Sequence, residues 1–239
     1  MKRIYSFTLA SIVMLIASTS IQAAPIAGSS SGVFVNPSGP AGMLVSGVGT
    51  PTFTWGDGSP YYSPPSSLSF AGSAFNTETE QVFSFGTLSY FNGTISPGTE
   101  ATSVDLNATL SFTTPSGINE SFLYTLGLIN TPNTSDPYGS ADIVQFQTIF
   151  PSNSFASGGV NYTLEFLGFG SITGSGFSTV NQFHVLEGAT ASTQLLGRVT
   201  SNIISPVPEP ETYAMLLAGL GLIGFIARRK NQNGTMYFA

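Results

Sequence analysis

The chain has one histidine and no cysteine among 239 residues, so its many serines have a single imidazole that could activate one of them as a nucleophile. His184 lies between Phe183 and Val185 in an apolar–polar alternation that is typical of a strand. A Ser/His/Asp site needs an acid that holds the histidine in space, and no spacing in the sequence indicates one. The lack of cysteine excludes thiol catalysis, disulfides and Cys-ligated metal sites. We therefore predict no catalytic residue and expect His184 to be an ordinary strand residue.

Glu78 and Glu80 are near neighbours, and a pair of carboxylates is what glycoside hydrolysis requires. They stand in the polar run 76–80, which is typical of a solvated loop or a sheet edge. No acid and base in the sequence converge on a common motif, so we predict that the protein is not an enzyme. A secreted β-sandwich hydrolase that acts on polysaccharide is the alternative.

Two acidic loops are rich in the oxygen atoms that Ca²⁺ prefers as ligands. They are residues 57–59 and residues 135–142, the second of which contains Asp136 and Asp142. Neither loop matches the spacing of an EF-hand. We predict no cofactor and no metal ligand, with a structural Ca²⁺ in these loops as the alternative to solvent-exposed turns.

The most aromatic loop, residues 55–65, contains the only tryptophan of the chain. Aromatic faces beside carboxylate and carbonyl acceptors suit stacking on sugar rings, because they combine apolar surface with polar groups. The candidate glycan contacts are Trp55, Asp57, Tyr61 and Tyr62. The other interpretation, which we favour, is that Trp55 ends a strand and packs into the core while the tyrosines cover a loop.

Strict apolar–polar alternation recurs between residues 24 and 205 and predicts half-buried strands that would position these groups. Every second residue from Val104 to Phe112 should face a core, and the run from Phe122 to Leu128 repeats the pattern. Further strands are predicted at residues 53–55, 68–71, 82–91, 143–150, 162–169, 183–186 and 195–200. We predict an all-β fold, an antiparallel, jelly-roll-like β-sandwich, flanked by an N-terminal signal helix and a C-terminal transmembrane helix.

Only 8% of the residues are charged, and 6 Lys and Arg against 12 Asp and Glu leave a formal charge of −6. Such a composition excludes a coiled coil, and it argues against nucleic-acid binding because phosphates are bound by clustered bases. Five of the six bases form two clusters, at residues 2–3 and 228–230, and each cluster adjoins an apolar run. The bases therefore indicate where the chain is sent rather than what it binds.

The N-terminal cluster, Lys2-Arg3, precedes the apolar run 7–17, and small residues including Ala23 and Ala24 follow. A basic start, a short apolar run and a small-residue cleavage site are typical of a secretory signal peptide. We predict residues 1–23 as a signal peptide that ends after Ala23. The Sec translocon and signal peptidase are then the expected partners of this segment.

The apolar run 213–227 is predicted as a transmembrane helix that Arg228, Arg229 and Lys230 stop on the cytoplasmic side. Its length corresponds to about 22 Å of helix, whereas a bilayer core is about 30 Å thick. Long basic side chains that extend to the interface close part of this difference. The prolines at 206, 208 and 210 favour an extended conformation ahead of the helix, accessible to an enzyme that binds extended peptide.

Pro208-Glu209-Pro210, then the apolar helix with its glycines, then the bases at 228–230 resemble the PEP-CTERM sorting signal of exopolysaccharide-producing Gram-negative bacteria. The resemblance covers residues 206–230 and implies cleavage by exosortase, a membrane-embedded cysteine transpeptidase-like enzyme. It also implies an inner-membrane intermediate and then transfer to the cell surface or extracellular matrix. Residues 231–239 form a short tail that such signals usually lack.

Short motifs rich in glycine, aromatic and hydroxyl residues lie at 31–37, 47–50, 54–56, 68–70, 86–95 and 103–106. Over residues 30–130 they resemble the choice-of-anchor K domain, an exported domain whose members carry different surface-attachment signals. This resemblance implies no activity, cofactor or catalytic residue. The domains predicted are thus the signal peptide, an exported sandwich at 24–205 and the sorting signal at 206–230.

These features predict an exported surface or matrix protein with a non-catalytic structural or adhesive role linked to exopolysaccharide or biofilm. Its expected partners are exosortase, exopolysaccharide and, transiently, the inner membrane. An unprocessed membrane-tethered domain is a further alternative. Loss of residues 1–23 and of everything from 228 onward leaves one base, Arg198, against all 12 acids, which is a formal net charge of −11. A cut near 208–210 also removes up to two acids and leaves a net charge of about −9. Such a domain would bind through polar, aromatic or cation-bridged contacts.

Overall fold

A computed structural model describes residues 23–146, 152–203 and 210–232. These residues form fourteen strands, a short 3-10 helix at Ser59–Tyr61 and one α-helix, α1, at Pro210–Gln232. Residues 1–22 of the predicted signal peptide lie outside the described residues, as do Pro208 and Glu209. The predicted strand at 143–150 forms over Asp142–Phe146, and its remainder also lies outside them.

The strands form two seven-stranded sheets in which every neighbouring pair is antiparallel. The first sheet, in spatial order, contains β12 (Gly176–Ser178), β13 (Gln182–Val185), β9 (Asp142–Phe146), β8 (Ile118–Ile129), β7 (Ser103–Thr114), β1 (Pro25–Ser38) and β5 (Ala74–Glu78). The second contains β10 (Ser152–Ser157), β11 (Val160–Gly174), β14 (Thr190–Ile203), β6 (Val82–Phe91), β4 (Ser66–Gly72), β3 (Thr52–Trp55) and β2 (Val45–Ser46). The predicted all-β, sandwich-like class is confirmed.

The two sheets enclose a single aromatic-rich core. Phe75 of β5 packs on Phe83 of β6 with ring centroids 4.9 Å apart. Phe146 of β9 packs edge-on against Phe166 of β11 at 4.6 Å. Because each pair joins one sheet to the other, aromatic contacts hold the sandwich together along its length.

The alternation in the sequence predicts correctly which side chains face this core. In β7, every second residue from Val104 to Phe112 is buried. In β8, Phe122 and Tyr124 are buried, whereas the intervening Leu123 is 52% exposed. The period of two therefore specifies the register of each strand relative to the core.

Strand β1 was not predicted, because its sequence is rich in glycine and serine. It nevertheless lies inside the first sheet, paired with β7 and β5. Its Gly32 and Gly86 of β6 both lie against the ring of Phe70, and a Cβ added to either would come within 2.7 and 2.4 Å of that ring, respectively. Gly32 of β1 and Gly86 of β6 thus make room for the ring of Phe70, which reaches across the core.

Candidate functional site

The sorting segment enters α1 at Pro210, the last residue of the predicted Pro-Glu-Pro motif. Proline suits this first turn because its fixed φ matches the helix and the missing N–H has no intrahelical partner there. Arg228 and Arg229 lie exposed near the other end of the helix. Seven large apolar side chains between them are 57–68% exposed: Leu216, Leu217, Leu220, Leu222, Ile223, Phe225 and Ile226.

The predicted membrane span at 213–227 coincides with this helix. Among the residues that the structure describes, no helix has both the length and the apolar character needed to cross a membrane. The helix itself is present as predicted, and its role as an anchor stays a prediction.

The other predicted processing point, between Ala23 and Ala24, lies where the sandwich begins. The backbone N–H of Ala24 donates to Oγ1 of Thr79 at 3.0 Å, and the N–H of Thr79 donates back to the Ala24 carbonyl at 2.8 Å. Strand β1 starts at the next residue, Pro25, and Ala23 is exposed. Cleavage after Ala23 would therefore leave every residue of β1 in the mature domain.

Trp55 belongs to the core rather than to the surface. Its indole ring is 3% exposed and stacks between Phe53 and Tyr90, with centroids 5.6 and 5.5 Å away. It is the last residue of β3, as the favoured interpretation of the sequence had it. The ring is therefore not positioned to stack on a sugar.

The rest of the aromatic loop is on the surface. Tyr61 is 50% exposed, and Tyr62, at φ 55°, is 99% exposed. Oδ1 of Asp57 accepts hydrogen bonds from the N–H of Ser59 at 2.9 Å and from its hydroxyl at 2.6 Å. These bonds hold the pKa of Asp57 below its usual value, and they shape the turn that leads to the tyrosines.

Tyr61 forms part of an open groove of about 290 Å³ that we call the end groove. Thr94, Asn130, Thr131 and Asn133 also contribute to its lining. The groove thus combines one half-exposed aromatic ring with amide and hydroxyl groups that both donate and accept hydrogen bonds. The structure brings Tyr61 to this groove, whereas Trp55 faces the core.

Two carboxylates are held by the threonines of the groove. The hydroxyl of Thr94 donates to Oε1 of Glu187. The N–H of Thr131 donates to Oδ1 of Asp142 at 2.7 Å, and the hydroxyl of Tyr90 donates to Oδ2 at 3.3 Å. Asp142 is 2% exposed, and this burial raises its pKa to about 6, with the charge of Glu187 adding to the rise.

His184 has surroundings that differ from those of a catalytic base. Its ring stacks on Phe177 at 4.3 Å, and its Nε2 lies 3.3 Å from Oε1 of Gln182, a neutral amide. Burial lowers the pKa of His184. Glu78 and Glu80 are exposed at and just beyond the end of the edge strand β5, as a solvated edge predicts.

The second acidic loop is divided between the surface and the interior. Asp136 is exposed, and its Oδ1 accepts a hydrogen bond from the N–H of Tyr138 at 3.1 Å within the loop. Asp142, by contrast, points into the sandwich. Within the described ranges, no group of three or more His, Cys, Asp or Glu side chains is placed to hold a metal ion.

The comparison with known families identifies the C-terminal segment. A family model of the PEP-CTERM protein-sorting motif matches residues 206–230, which confirms the prediction made from the residues there. A search of curated proteins gave no match to the chain. The chain is thus a β-sandwich followed by a sorting motif, and the motif marks it as an exosortase-sorted, exported protein.

Sequence reasoning missed Glu187, whose carboxylate accepts a hydrogen bond from Thr94 of the end groove, and the buried Asn92, whose Nδ2 donates to the carbonyl of Val185. Glu187 lies 45 positions from Asp142 in the chain, and Asn92 lies 50 positions before Asp142. No spacing rule links groups so far apart, because only the pairing of β13 with β9 and of β14 with β6 brings their loops together. Their one visible signal was the turn composition of residues 92–94 and 187–188.

Proposed function

We propose that the protein is a non-catalytic surface or matrix component whose sandwich binds exopolysaccharide in the end groove. The observation that supports this proposal is the half-exposed ring of Tyr61 beside Asn130 and Asn133 in an open groove. An aromatic face packs against the apolar face of a sugar ring, and the amides bind its hydroxyls. A pocket that is open to solvent rather than enclosed can accept part of a polymer.

The charge of the exported domain restricts the polymer that it would bind. Arg198 is its one remaining base after processing, and its guanidinium is paired with Glu165 at 2.7 Å. A domain of about −9 to −11 repels anionic polymers unless cations bridge the two. We therefore propose a neutral polysaccharide, or an acidic one only in the presence of divalent cations.

A glycan array tests this function with the full chain and the variants Tyr61→Ala and Tyr62→Ala. We expect Tyr61→Ala to lose binding to neutral glycans, because its ring lines the groove. Tyr138→Ala is the matched control, since Tyr138 is an exposed tyrosine (69%) that contacts Phe177 instead. An equal loss in Tyr138→Ala, or unchanged binding in Tyr61→Ala, would contradict the groove assignment.

The alternative, a polysaccharide hydrolase, would use Asp142 and Glu187 as its carboxylate pair. Asp142 is almost fully buried, and both of its oxygens already accept hydrogen bonds, from Thr131 and Tyr90. A catalytic acid must instead reach the glycosidic oxygen of its substrate. Release of reducing sugar by the full chain, lost in Glu187→Gln, would favour the hydrolase and overturn the non-catalytic proposal.

We propose the following route to the surface. Signal peptidase cuts after Ala23, α1 holds the chain in the inner membrane of a Gram-negative cell, and exosortase cuts near Pro208-Glu209-Pro210. The sandwich would then be a choice-of-anchor K-like domain released to the surface or matrix. Mass spectrometry of the surface protein tests this route: an intact segment from Arg228 onward would contradict exosortase cleavage and favour an unprocessed tethered domain.

A further inference from the structure

The turn between β13 and β14 closes around one buried side chain, that of Asn92. The N–H of Asn92 donates to the carbonyl of Ala189 at 3.0 Å, and the N–H of Gly188 donates to the Asn92 carbonyl at 2.8 Å. Nδ2 of Asn92 donates to the carbonyl of Val185 at 3.0 Å. Glu187 is in the middle of this turn, so the turn that encloses Asn92 also carries a carboxylate.

Two buried oxygen atoms at this turn have no hydrogen-bond partner among the described residues: Oδ1 of Asn92 and Oε2 of Glu187. Asn92 is 0% exposed, so water outside the protein does not reach its amide. A buried acceptor without a donor is unfavourable, and native structures rarely leave one unsatisfied. Two such acceptors at one turn indicate that a cation or a hydrogen-bond donor belongs beside them.

A second carboxylate lies next to this turn. Tyr90 precedes Asn92 by two positions, and its hydroxyl contacts Oδ2 of Asp142. Asp142 is the strand partner of Val185, and the carbonyl of Val185 accepts the hydrogen bond from Nδ2 of Asn92. Val185 precedes Glu187 by two positions, so strand pairing brings Asp142 to the turn that carries Glu187. Burial raises the pKa of Asp142, and the charge of Glu187 adds to this rise. Two neighbouring carboxylates in a buried region repel each other unless a cation or a proton compensates for one of them.

We propose that Asp142, Glu187 and Asn92 bind a Ca²⁺ ion through Oδ2, Oε2 and Oδ1, respectively, at a site we call the turn site. All three ligand atoms are oxygens, which suits a hard cation, whereas Zn²⁺ prefers nitrogen and sulfur. Ca²⁺ also accepts irregular geometry and backbone carbonyl ligands, unlike the smaller Mg²⁺. The site does not depend on the glycan proposal, because its three ligands are distinct from Tyr61 and the amides of the groove.

The test is thermal unfolding of the full chain in mild detergent, stripped with EGTA and then titrated with CaCl₂, with MgCl₂ as the matched salt. We expect the unfolding temperature to rise with the logarithm of the Ca²⁺ concentration above the dissociation constant, as ligand linkage requires. Mg²⁺ at equal concentration should produce a much smaller rise. Tb³⁺ luminescence is a second readout, since the hydroxyl of Tyr90 contacts Asp142 and its ring would sensitise a bound ion.

The variants assign the effect to the turn site. Glu187→Gln keeps the shape of the side chain and removes one charge, so we expect Ca²⁺ affinity to fall on the order of tenfold or more. Asp142→Asn is the second variant, in case the first does not fold. Asp136→Asn is the control, an exposed carboxylate in the neighbouring loop, and it should respond to Ca²⁺ as the wild type does.

Three results would overturn the proposal. The first is a wild-type protein whose stability does not respond to Ca²⁺, which would leave a buried water as the donor to the two oxygens. The second is an equal response to Mg²⁺. The third is loss of the Ca²⁺ response in Asp136→Asn with retention in Glu187→Gln or Asp142→Asn, which would place the ion in the exposed loop. If neither Glu187→Gln nor Asp142→Asn folds, the Ca²⁺ titrations of the wild type and of Asp136→Asn decide whether the proposal stands.

Discussion

The position of Trp55 leads to a quantitative prediction for Trp55→Ala. The indole is 3% exposed and stacks on Phe53 and Tyr90. Burial of an aromatic side chain removes about 150–250 Å² from water, which at about 25 cal/mol per Å² corresponds to roughly 4–6 kcal/mol. The alanine retains part of this burial, and measured losses for such substitutions are about 3–5 kcal/mol. We expect the free energy of unfolding to fall by about 4 kcal/mol.

The assay is urea unfolding followed by circular dichroism, because the variant lacks the only tryptophan of the chain. In thermal unfolding, a loss of about 4 kcal/mol corresponds to a decrease of about 8–16 °C for a domain of this size. Tyr62→Ala is the control. Its side chain is 99% exposed, so its free energy of unfolding should stay within about 0.5 kcal/mol of the wild type.

Two results would refute this reasoning. A loss below about 1 kcal/mol in Trp55→Ala would mean that the indole does not fill the core as described. Loss of glycan binding by a folded Trp55→Ala protein, with binding by Tyr61→Ala unaffected, would mean that the indole contacts the glycan. In the wild type, acrylamide should quench the fluorescence of Trp55 poorly, because a buried ring is not accessible to the quencher.

Three further predictions concern packing and charge. Gly86→Ala should reduce the free energy of unfolding by about 1–3 kcal/mol in urea titrations, because its Cβ would lie 2.4 Å from the ring of Phe70. Arg198→Gln should leave the urea midpoint nearly unchanged, with any effect reduced further in high salt, because solvent reaches both partners of the ion pair with Glu165, whose side chains are 38% and 34% exposed. Burial lowers the pKa of His184 from its usual 6.5. The stability linked to this shift should be present above pH 6.5 and lost as the pH falls through the folded-state pKa. The urea midpoints measured above and below pH 6.5 should therefore differ less in His184→Gln than in the wild type.

Much of the fold could be predicted from the sequence where alternation is strict. The prediction of which side chains of β7 and β8 face the core was correct, because a period of two places the apolar residues of each strand on one face. Strand β1 could not be predicted, since its glycines and serines are typical of turns. It is a strand because β7 and β5 supply its hydrogen bonds and Gly32 accommodates the ring of Phe70.

The sequence by itself determined the sorting motif, because Pro208-Glu209-Pro210, the helix and the bases are contiguous and their order is the signal. Only the tertiary structure decided the positions of the side chains that could bind a ligand or take part in a reaction. It buried Trp55, exposed Tyr61 in a groove, and paired Asp142 with Val185, two residues before Glu187. The reason is physical: a linear signal is read as an extended segment, whereas a binding site is assembled by strand pairing between residues that are far apart in the chain.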